Sequence, residues 1–322
     1  MKTVLKKTLS VLLVVFVAML FFACGGSEES SSAAGEDSSA QSAPADEGAS
    51  VEDAVDAYFA NMPDHIYKIG QADFVGMVQA GTDMTVLDIR RPDDYNAGHI
   101  QGAVNLPWGT SALVDELPMI PQEGNVFIYC YSGQTAGQAV ALLNLVGVPA
   151  RSVNLGWNFG ISKVEGVDAI TETESNSLPS ATHDLDPNLL AAYEAYYEDM
   201  ATKAGSTFAN NIVSEENAKA ILDAADPDVV FVSIRRAEHY AEGHIPTATN
   251  MPWGKGMQTM FDSLPADKKI IIYCYSGQTA GQTVAMLRVL GYDAVSLRGG
   301  MGVGANAPLG WANQGYETVT SS

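Results

Sequence analysis

Three blocks of sequence occur twice in this chain of 322 residues, in the same order each time. Two blocks recur at an offset of 145 residues, and the third recurs without a single change at an offset of 144. The pairs are residues 90–100 with 235–245, 105–109 with 250–254, and 128–138 with 272–282. A chain of this length ordinarily forms about two domains, and the period is far too long for a solenoid. The duplication therefore predicts two copies of one domain.

Each copy alternates apolar, strand-like runs with helix-like stretches. Strands are predicted at 85–89 and 126–129, and at the matching positions 229–234 and 270–273. Helices are predicted at 51–62, 71–80 and 136–146 in the first copy and at 188–203, 215–224 and 280–290 in the second. Continuous apolar strands followed by helices are typical of parallel sheets covered on both faces. We therefore expect an α/β fold in which each domain is a parallel sheet flanked by helices on both faces.

The N-terminus has the pattern of an export signal. A lysine-containing start precedes an unbroken apolar run at 11–23, which is shorter than the roughly 20 residues that a spanning helix needs. The run ends at Cys24, in a segment that resembles a bacterial lipoprotein cleavage site. We expect residues 1–23 to be a signal peptide and Cys24 to be lipidated, which would anchor the protein in a membrane and expose it to the periplasm or the cell exterior. The alternative is an ordinary signal peptide beside an incidental cysteine.

The next segment is rich in serine and acid. Residues 25–50 contain no basic and no large apolar side chain, so we expect a disordered tether over 24–50. The two domains are then placed at 51–161 and 187–322, with a polar linker at 162–186. The chain has 17 Lys and Arg against 38 Asp and Glu, a net charge of −21, which argues against nucleic acid as a partner.

The two remaining cysteines stand at equivalent places in the two copies. Cys130 and Cys274 each follow an apolar strand and precede a short glycine-containing loop and a helix. This order places the thiol beside a helix N-terminus, where backbone N–H groups lack partners within the helix and stabilise a thiolate. The loop residues are small and polar and are identical in the two copies. We therefore predict a reactive nucleophile in each copy, with a buried structural cysteine as the alternative.

Three ordered motifs in each copy resemble those of rhodanese domains. They are residues 88–90, 95–107 and 130–135 in the first copy, and similar residues within 234–252 and 274–279 in the second. The resemblance covers residues 51–160 and 190–318, which is most of the chain after the tether. It implies a parallel α/β domain, in agreement with the strand and helix pattern.

The resemblance also implies sulfurtransferase chemistry at Cys130 and Cys274. The thiolate would take the outer sulfur of a donor similar to thiosulfate or mercaptopyruvate and become a persulfide. The sulfur would then pass to cyanide, a thiol or another protein, and no cofactor is implied. The loop residues that would hold the persulfide are Tyr131, Ser132, Gly133, Gln134 and Thr135 in the first copy and Tyr275, Ser276, Gly277, Gln278 and Thr279 in the second.

The sequence departs from the family pattern in three respects. The tandem enzymes of the family usually keep the cysteine only in the second copy, whereas both copies have it here. Neither loop contains Arg or Lys, so the cationic contact with thiosulfate expected from the thiosulfate enzymes is missing and the sulfur donor stays open. Finally, Asp88 of the first copy is replaced by Ser233 in the second.

Five further residues are candidates for a supporting role. Arg90 and Arg235 follow buried strands and are expected to make internal ion pairs, for which only the first copy has the neighbouring carboxylate, Asp88. Trp108 and Trp253 either line the mouth of the pocket or pack in the interior. His99 and His244 are expected to be structural, and the other histidines lack ligand spacing, so no metal site is predicted.

Two other functions are alternatives, and the sequence argues against the first of them. A phosphatase of related design would need a loop one residue longer that closes with Arg, but Ala136 and Ala280 stand at that position. A non-enzymatic persulfide carrier, or a surface lipoprotein that senses sulfur or redox state, would bind sulfur without repeated turnover.

Overall fold

The structure is a computed structural model that describes residues 48–321. The predicted signal peptide, Cys24 and most of the predicted tether lie outside these residues. Among the helices of residues 48–321, none combines the length and the apolar character needed to cross a bilayer.

The two copies contain matching elements. The first copy has helices α1 (Val51–Ala60), α2 (Gln71–Gln79), α3 (Pro92–Ala97), α4 (Ala112–Asp115) and α5 (Gln134–Leu145), and strands β1 (Lys68–Ile69), β2 (Thr85–Asp88), β3 (His99–Ile100), β4 (Ala103–Asn105), β5 (Val126–Tyr129), β6 (Ala150–Val153) and β7 (Thr171–Glu172). The second copy has helices α6 (Pro187–Thr202), α7 (Glu215–Asp223), α8 (Ala237–Glu242) and α9 (Gln278–Val289), and strands β8 (Ile212–Val213), β9 (Val229–Ser233), β10 (Thr249–Asn250), β11 (Lys269–Tyr273) and β12 (Ala294–Leu297).

Both five-stranded sheets are parallel throughout and have the same strand order. The first sheet runs β1-β6-β5-β2-β4, and the second runs β8-β12-β11-β9-β10. The central strand β5 is buried along its whole length, as a strand covered on both faces must be. The predicted α/β fold class, with parallel sheets between helices, is confirmed.

One apolar core runs through both copies. Helices α5 and α9 pack against each other inside it, together with apolar residues of α1 and α6. A Cβ atom added to Gly137 would lie well within 3.0 Å of the backbone oxygen of Gln278, and one added to Gly281 would meet the backbone oxygen of Gln134 in the same way. The first turns of the two helices therefore touch directly. Because each of these turns follows a cysteine loop, the packing brings the two loops to the same interface.

The first helix of each copy bridges both copies. Tyr58 of α1 donates from its hydroxyl to Oε1 of Gln282 in α9, at 2.7 Å. In the same way Tyr196 of α6 donates to Oε1 of Gln138 in α5, at 2.5 Å. The exchange of these contacts joins the two copies reciprocally.

The predicted linker at 162–186 begins within the packing of the first copy. The first copy has a second apolar core, here called the outer core, which contains Phe74 and Phe127 and in which Val167 and Ile170 are buried. Thr171 pairs with Ile100 where β7 lies antiparallel to β3. The second copy has a matching antiparallel bridge between His244 and Val319. The packed part of the first copy therefore continues past residue 161 to Asn176, whose Nδ2 donates to the carbonyl of Ala103 at 3.2 Å.

Candidate active site

Both cysteines lie at the end of a central strand with backbone N–H groups pointing at the sulfur. The N–H of Gly133 donates to Sγ of Cys130 at 3.1 Å, and that of Ala136 donates at 3.4 Å. In the second copy the N–H of Gly277 donates to Sγ of Cys274 at 3.1 Å. Gly133 and Gly277 have φ of +88° and +92°, a left-handed conformation that glycine adopts without strain. This turn aims the N–H groups at the sulfur.

A second loop holds each cysteine loop through a backbone hydrogen bond. After β6, the N–H of Trp157 donates to the carbonyl of Cys130 at 2.8 Å, and after β12 the N–H of Met301 donates to the carbonyl of Cys274 at 2.8 Å. The contact is close because Gly156 and Gly300 face the cysteine loops. These two glycines were not among the residues predicted from sequence. The signal that could have found them is their recurrence at the offset of 144.

The tyrosine of each loop fastens it to the neighbouring helix. The hydroxyl of Tyr131 accepts from the N–H of Arg91 at 3.0 Å and donates to Oδ2 of Asp94 at 2.5 Å. Burial and the Asp94 carboxylate raise the pKa of Tyr131. The hydroxyl of Tyr275 lies 2.6 Å from Nδ1 of His239, which takes the place of Asp94 in the second copy. The tyrosine side chains therefore hold the loops in place.

The glutamine of each loop reaches into the opposite copy. Nε2 of Gln134 donates to Oγ of Ser296 at 2.8 Å and to the carbonyl of Leu297 at 3.0 Å. Its Oε1 accepts from the N–H of Gly299 at 3.2 Å, next to the glycine that supports the Cys274 loop. Gln278 repeats this arrangement with Ser152, at 2.7 Å. The sequence assigned both glutamines to the persulfide cradle, but their side chains connect each cysteine loop to the supporting loop of the other copy.

These contacts give a second reason for the identical block of residues. Gln138 accepts from Tyr196 and donates from Nε2 to the carbonyl of Asn210 at 3.1 Å, and it is fully buried. Gly137, one position earlier, is the point where the two helices touch. Part of the identity thus follows from the near-symmetric interface between the copies, in addition to the chemistry at the sulfur.

The remaining hydroxyls of the loops differ in exposure. Ser132, Thr135 and Ser276 are half-buried, whereas Thr279 is buried and its carbonyl accepts from the hydroxyl of Thr283 at 3.0 Å. Three of these four hydroxyl side chains are therefore partly accessible to solvent.

The arginine after the second strand is paired in one copy only. Arg90 donates to Asp88 from Nε and from Nη2, the latter at 2.6 Å, and both residues are buried. This is the internal ion pair expected from the sequence. Arg235 donates to the carbonyl of Gly243, but its buried Nε has no hydrogen-bond partner within residues 48–321, because Ser233 stands where the first copy has Asp88.

We expect Asp88→Ser to lower the free energy of unfolding by about 3 kcal/mol, because it leaves the buried guanidinium of Arg90 without its carboxylate. Asp83→Ser removes a carboxylate that is exposed and makes no ion pair with any described residue, so its expected effect is within about 0.5 kcal/mol. Urea unfolding monitored by circular dichroism measures both. Equal stability of the two variants would contradict the assigned role of Asp88.

The predicted tryptophans and histidines lie in the packing around the site. Trp108 and Trp253 are half-buried against the shared core, and the Trp108 ring meets that of Tyr197 edge-on at 5.4 Å. His99 is fully buried, with Nδ1 2.8 Å from the carbonyl of Tyr95, and His244 makes the matching contact with Tyr240. Both histidines therefore serve the structure. No cluster of His, Cys, Asp and Glu within residues 48–321 could hold a metal ion.

A surface pocket of about 360 Å³ opens beside the first cysteine loop. Arg90, Asp94, Tyr131, Trp157 and Asn158 are among its lining residues. The Arg90 guanidinium, which is paired with Asp88, lies 4.2 Å from the centre of the Trp157 ring, and the Asp94 carboxylate lines the same pocket.

Comparison with known proteins identifies the family. A family model described as a rhodanese-like domain matches residues 71–159 and 214–305. The chain belongs to the rhodanese-like domain family. Both matches lie inside the duplicated copies and each contains one cysteine loop, so the protein is a tandem rhodanese-like protein.

The relatives of this rhodanese-like chain carry sulfurtransferase names. A protein named sulfurtransferase from Allochromatium vinosum is 33% identical over 111 residues, which cover 34% of this chain and 94% of the relative. A thiosulfate:glutathione sulfurtransferase from Saccharomyces cerevisiae is 31% identical over 110 residues, covering 30% of this chain and 79% of the relative. A solved 3-mercaptopyruvate sulfotransferase from Escherichia coli is 19% identical with a TM-score of 0.32, covering 72% of this chain and 98% of that one. The sequence relatives support a rhodanese-like transferase.

Proposed function

We propose that this protein is a sulfurtransferase that moves a sulfane sulfur through a persulfide on Cys130 and on Cys274. The observation that carries the proposal is the pair of cysteine loops, in each of which a backbone N–H donates to the sulfur at 3.1 Å. Such groups are fixed before the reaction and stabilise negative charge without having to reorganise. The membership of both copies in the rhodanese-like family supports the same conclusion.

The proposed reaction has two displacements at sulfur. In the first, the cysteine thiolate attacks the outer sulfur of the donor; a new S–S bond forms and the donor's bond breaks, with its electron pair leaving on the remainder, which is sulfite when the donor is thiosulfate. In the second, the nucleophilic acceptor attacks the outer sulfur of the persulfide and the electron pair returns to the cysteine. The loop N–H groups hold the charge on sulfur in both steps.

Mass spectrometry of the intact, previously reduced protein tests this proposal. After incubation with thiosulfate, mercaptopyruvate or polysulfide we expect one added sulfur atom for each reactive cysteine. Cys130→Ser and Cys274→Ser should each lose the adduct at the changed position and keep the other, because the two cysteines lie in separate loops. The proposal fails if no donor gives an adduct, or if the double variant still gains sulfur.

Turnover separates the enzyme from a persulfide carrier. An enzyme that is given thiosulfate and cyanide in large excess should release many equivalents of thiocyanate, whereas a carrier stops after one equivalent for each loaded cysteine. A single equivalent would support the carrier and contradict the transferase.

We also propose that the protein is exported and anchored by a lipid on Cys24. The charged and apolar start and the cleavage-site resemblance support this, and these residues lie outside the described structure. In cells, the wild-type protein should fractionate with membranes and Cys24→Ser should not. Equal fractionation of the two proteins would contradict the lipid anchor.

A further inference from the structure

Lys68 of the first copy lies on the side of its sheet that faces the second copy. It forms β1 together with Ile69, whose side chain is buried in the outer core of the first copy with Phe74 and Phe127. Successive side chains of a strand point to opposite faces, so Lys68 points away from that core, toward α5 and the interface.

The register of the sheet places Lys68 next to the Cys274 loop. Lys68 pairs with Ser152 of β6, and paired residues of neighbouring strands share a face of the sheet. Oγ of Ser152 accepts from Nε2 of Gln278 at 2.7 Å. Gln278 directly follows Gly277, whose N–H donates to the sulfur of Cys274. A continuous set of contacts therefore leads from the Lys68 strand pair to the second cysteine.

The charge of Lys68 is partly desolvated and has no counterion among the described residues. Lys68 is half-buried, and no carboxylate within residues 48–321 forms an ion pair with it. Burial lowers the pKa of Lys68, and a negative charge on the Cys274 sulfur would act on the same ammonium in the opposite direction. A cation that has lost hydration without gaining a partner interacts favourably with an anion that enters its neighbourhood.

At the equivalent position beside the first site, the described residues place no cation. The strand pair that matches Lys68 and Ser152 is Ile212 and Ser296, and Ser296 accepts from Gln134 at 2.8 Å. Apart from the exchange of Lys68 for Ile212, the two sites are built alike at this point. The two cysteine loops are thus nearly identical, but the second has a lysine from the opposite copy beside it where the first has an isoleucine.

We propose that Lys68 binds the anionic part of the sulfur donor at Cys274, so that the second site favours anionic donors of the thiosulfate type over neutral ones and the first site does not. The inference rests on the proposed sulfur transfer for its biological meaning. Lys68 also supplies, from the opposite copy, the cation that neither cysteine loop contains.

Alkylation with a charged and a neutral reagent tests the position of this charge without requiring sulfur transfer. In the full-length protein, the rates of reaction with iodoacetate and iodoacetamide are measured separately for Cys274 and Cys130 by peptide mass spectrometry. We expect Lys68→Met to lower the iodoacetate-to-iodoacetamide ratio at Cys274 about fivefold, the scale of a solvent-screened ion pair, and to leave the ratio at Cys130 unchanged. Lys219→Met, which removes a lysine on α7 paired with Asp223, should change neither ratio.

Two further variants separate charge from folding. Lys68→Arg should keep the wild-type ratio at Cys274, and Ile212→Lys should raise the ratio at Cys130. The proposal is overturned if Lys68→Met leaves the ratio at Cys274 unchanged, or if the ratios at both cysteines fall together.

Persulfide formation then connects the charge to the donor. With thiosulfate, persulfide formation at Cys274 should be slower in Lys68→Met than in the wild type. With a neutral dialkyl trisulfide, the thiolate attacks the central sulfur and releases the alkyl thiolate, and this reaction, which leaves a cysteine trisulfide that carries the alkyl group, should proceed at equal rates in the two proteins. A wild-type protein that accepts sulfur from neither donor would contradict the proposed function, while the alkylation ratios would still decide the role of Lys68. Equal slowing with both donors would contradict the proposed role of Lys68 but would leave the proposed sulfur transfer intact.

Discussion

Gly137→Ala is expected to lower the free energy of unfolding by about 2–3 kcal/mol, because the added methyl would overlap the backbone oxygen of Gln278 where α5 meets α9. Backbone cannot give way as the tip of a flexible side chain can, so the two helices must separate. Separation would also disturb the contacts of Gln134 and Gln138 with the opposite copy. Urea unfolding followed by circular dichroism measures the change.

A second helical glycine provides the matched control. Gly76 lies within α2, and a Cβ atom added there meets nothing within 4 Å. Gly76→Ala should therefore raise the stability by about 0.5–1 kcal/mol, since alanine is the better helix former. If Gly137→Ala behaved like Gly76→Ala, the close packing of α5 on α9 would be wrong.

Gly156→Ala is expected to lower persulfide formation at Cys130 at least tenfold while Cys274 keeps its activity. Gly156 has a φ of +58°, and an added Cβ would lie 2.8 Å from the backbone nitrogens of both Ser132 and Gly133. Those atoms belong to the loop that holds the sulfur, so the loop must shift and its N–H groups no longer point at the sulfur of Cys130. A misplacement of about 1 Å is enough to cost roughly a hundredfold in rate. The measurement is site-resolved loading with sulfur by mass spectrometry.

Gly147 and Gly300 separate backbone strain from loop displacement. Gly147 has a φ of +88° but open space around its Cβ position, so Gly147→Ala adds the strain without the collision and should leave Cys130 active. Gly300 supports the second loop as Gly156 supports the first, so Gly300→Ala should reverse the pattern and impair Cys274 alone. Equal loss at both cysteines in either variant would indicate general unfolding and contradict the local role of these glycines.

The local elements of the fold could be predicted closely. The strand predicted at 126–129 is β5, residue for residue, and the helix predicted at 280–290 is α9, which begins two residues earlier at Gln278. Short-range features encode such elements: an apolar run that ends in a cysteine and a glycine that closes a helix. The early start of α9 was missed because the helix begins directly after a left-handed glycine, inside the residues assigned to the loop.

The candidate site was predictable only as far as it is local. The cysteines and the N–H groups that face them follow from strand, loop and helix in one stretch of chain. The roles of the glutamine side chains did not follow, because the partners of Gln134 and Gln278 lie 162 and 126 residues away. Polar residues of a loop have the same sequence pattern whether they face a substrate or a neighbouring domain.

The sequence by itself determined the duplication, the parallel α/β class and the position of one cysteine at a strand end in each copy. Apolar periodicity and the order of residues within each copy are sufficient for these. Only the tertiary structure decided how the copies act on each other: α5 against α9, each loop glutamine in the opposite copy, and Lys68 beside Cys274 where Ile212 stands by the first site. The physical reason is that these contacts depend on how two sheets and their helices pack, and residues far apart in the chain carry no local pattern of that packing.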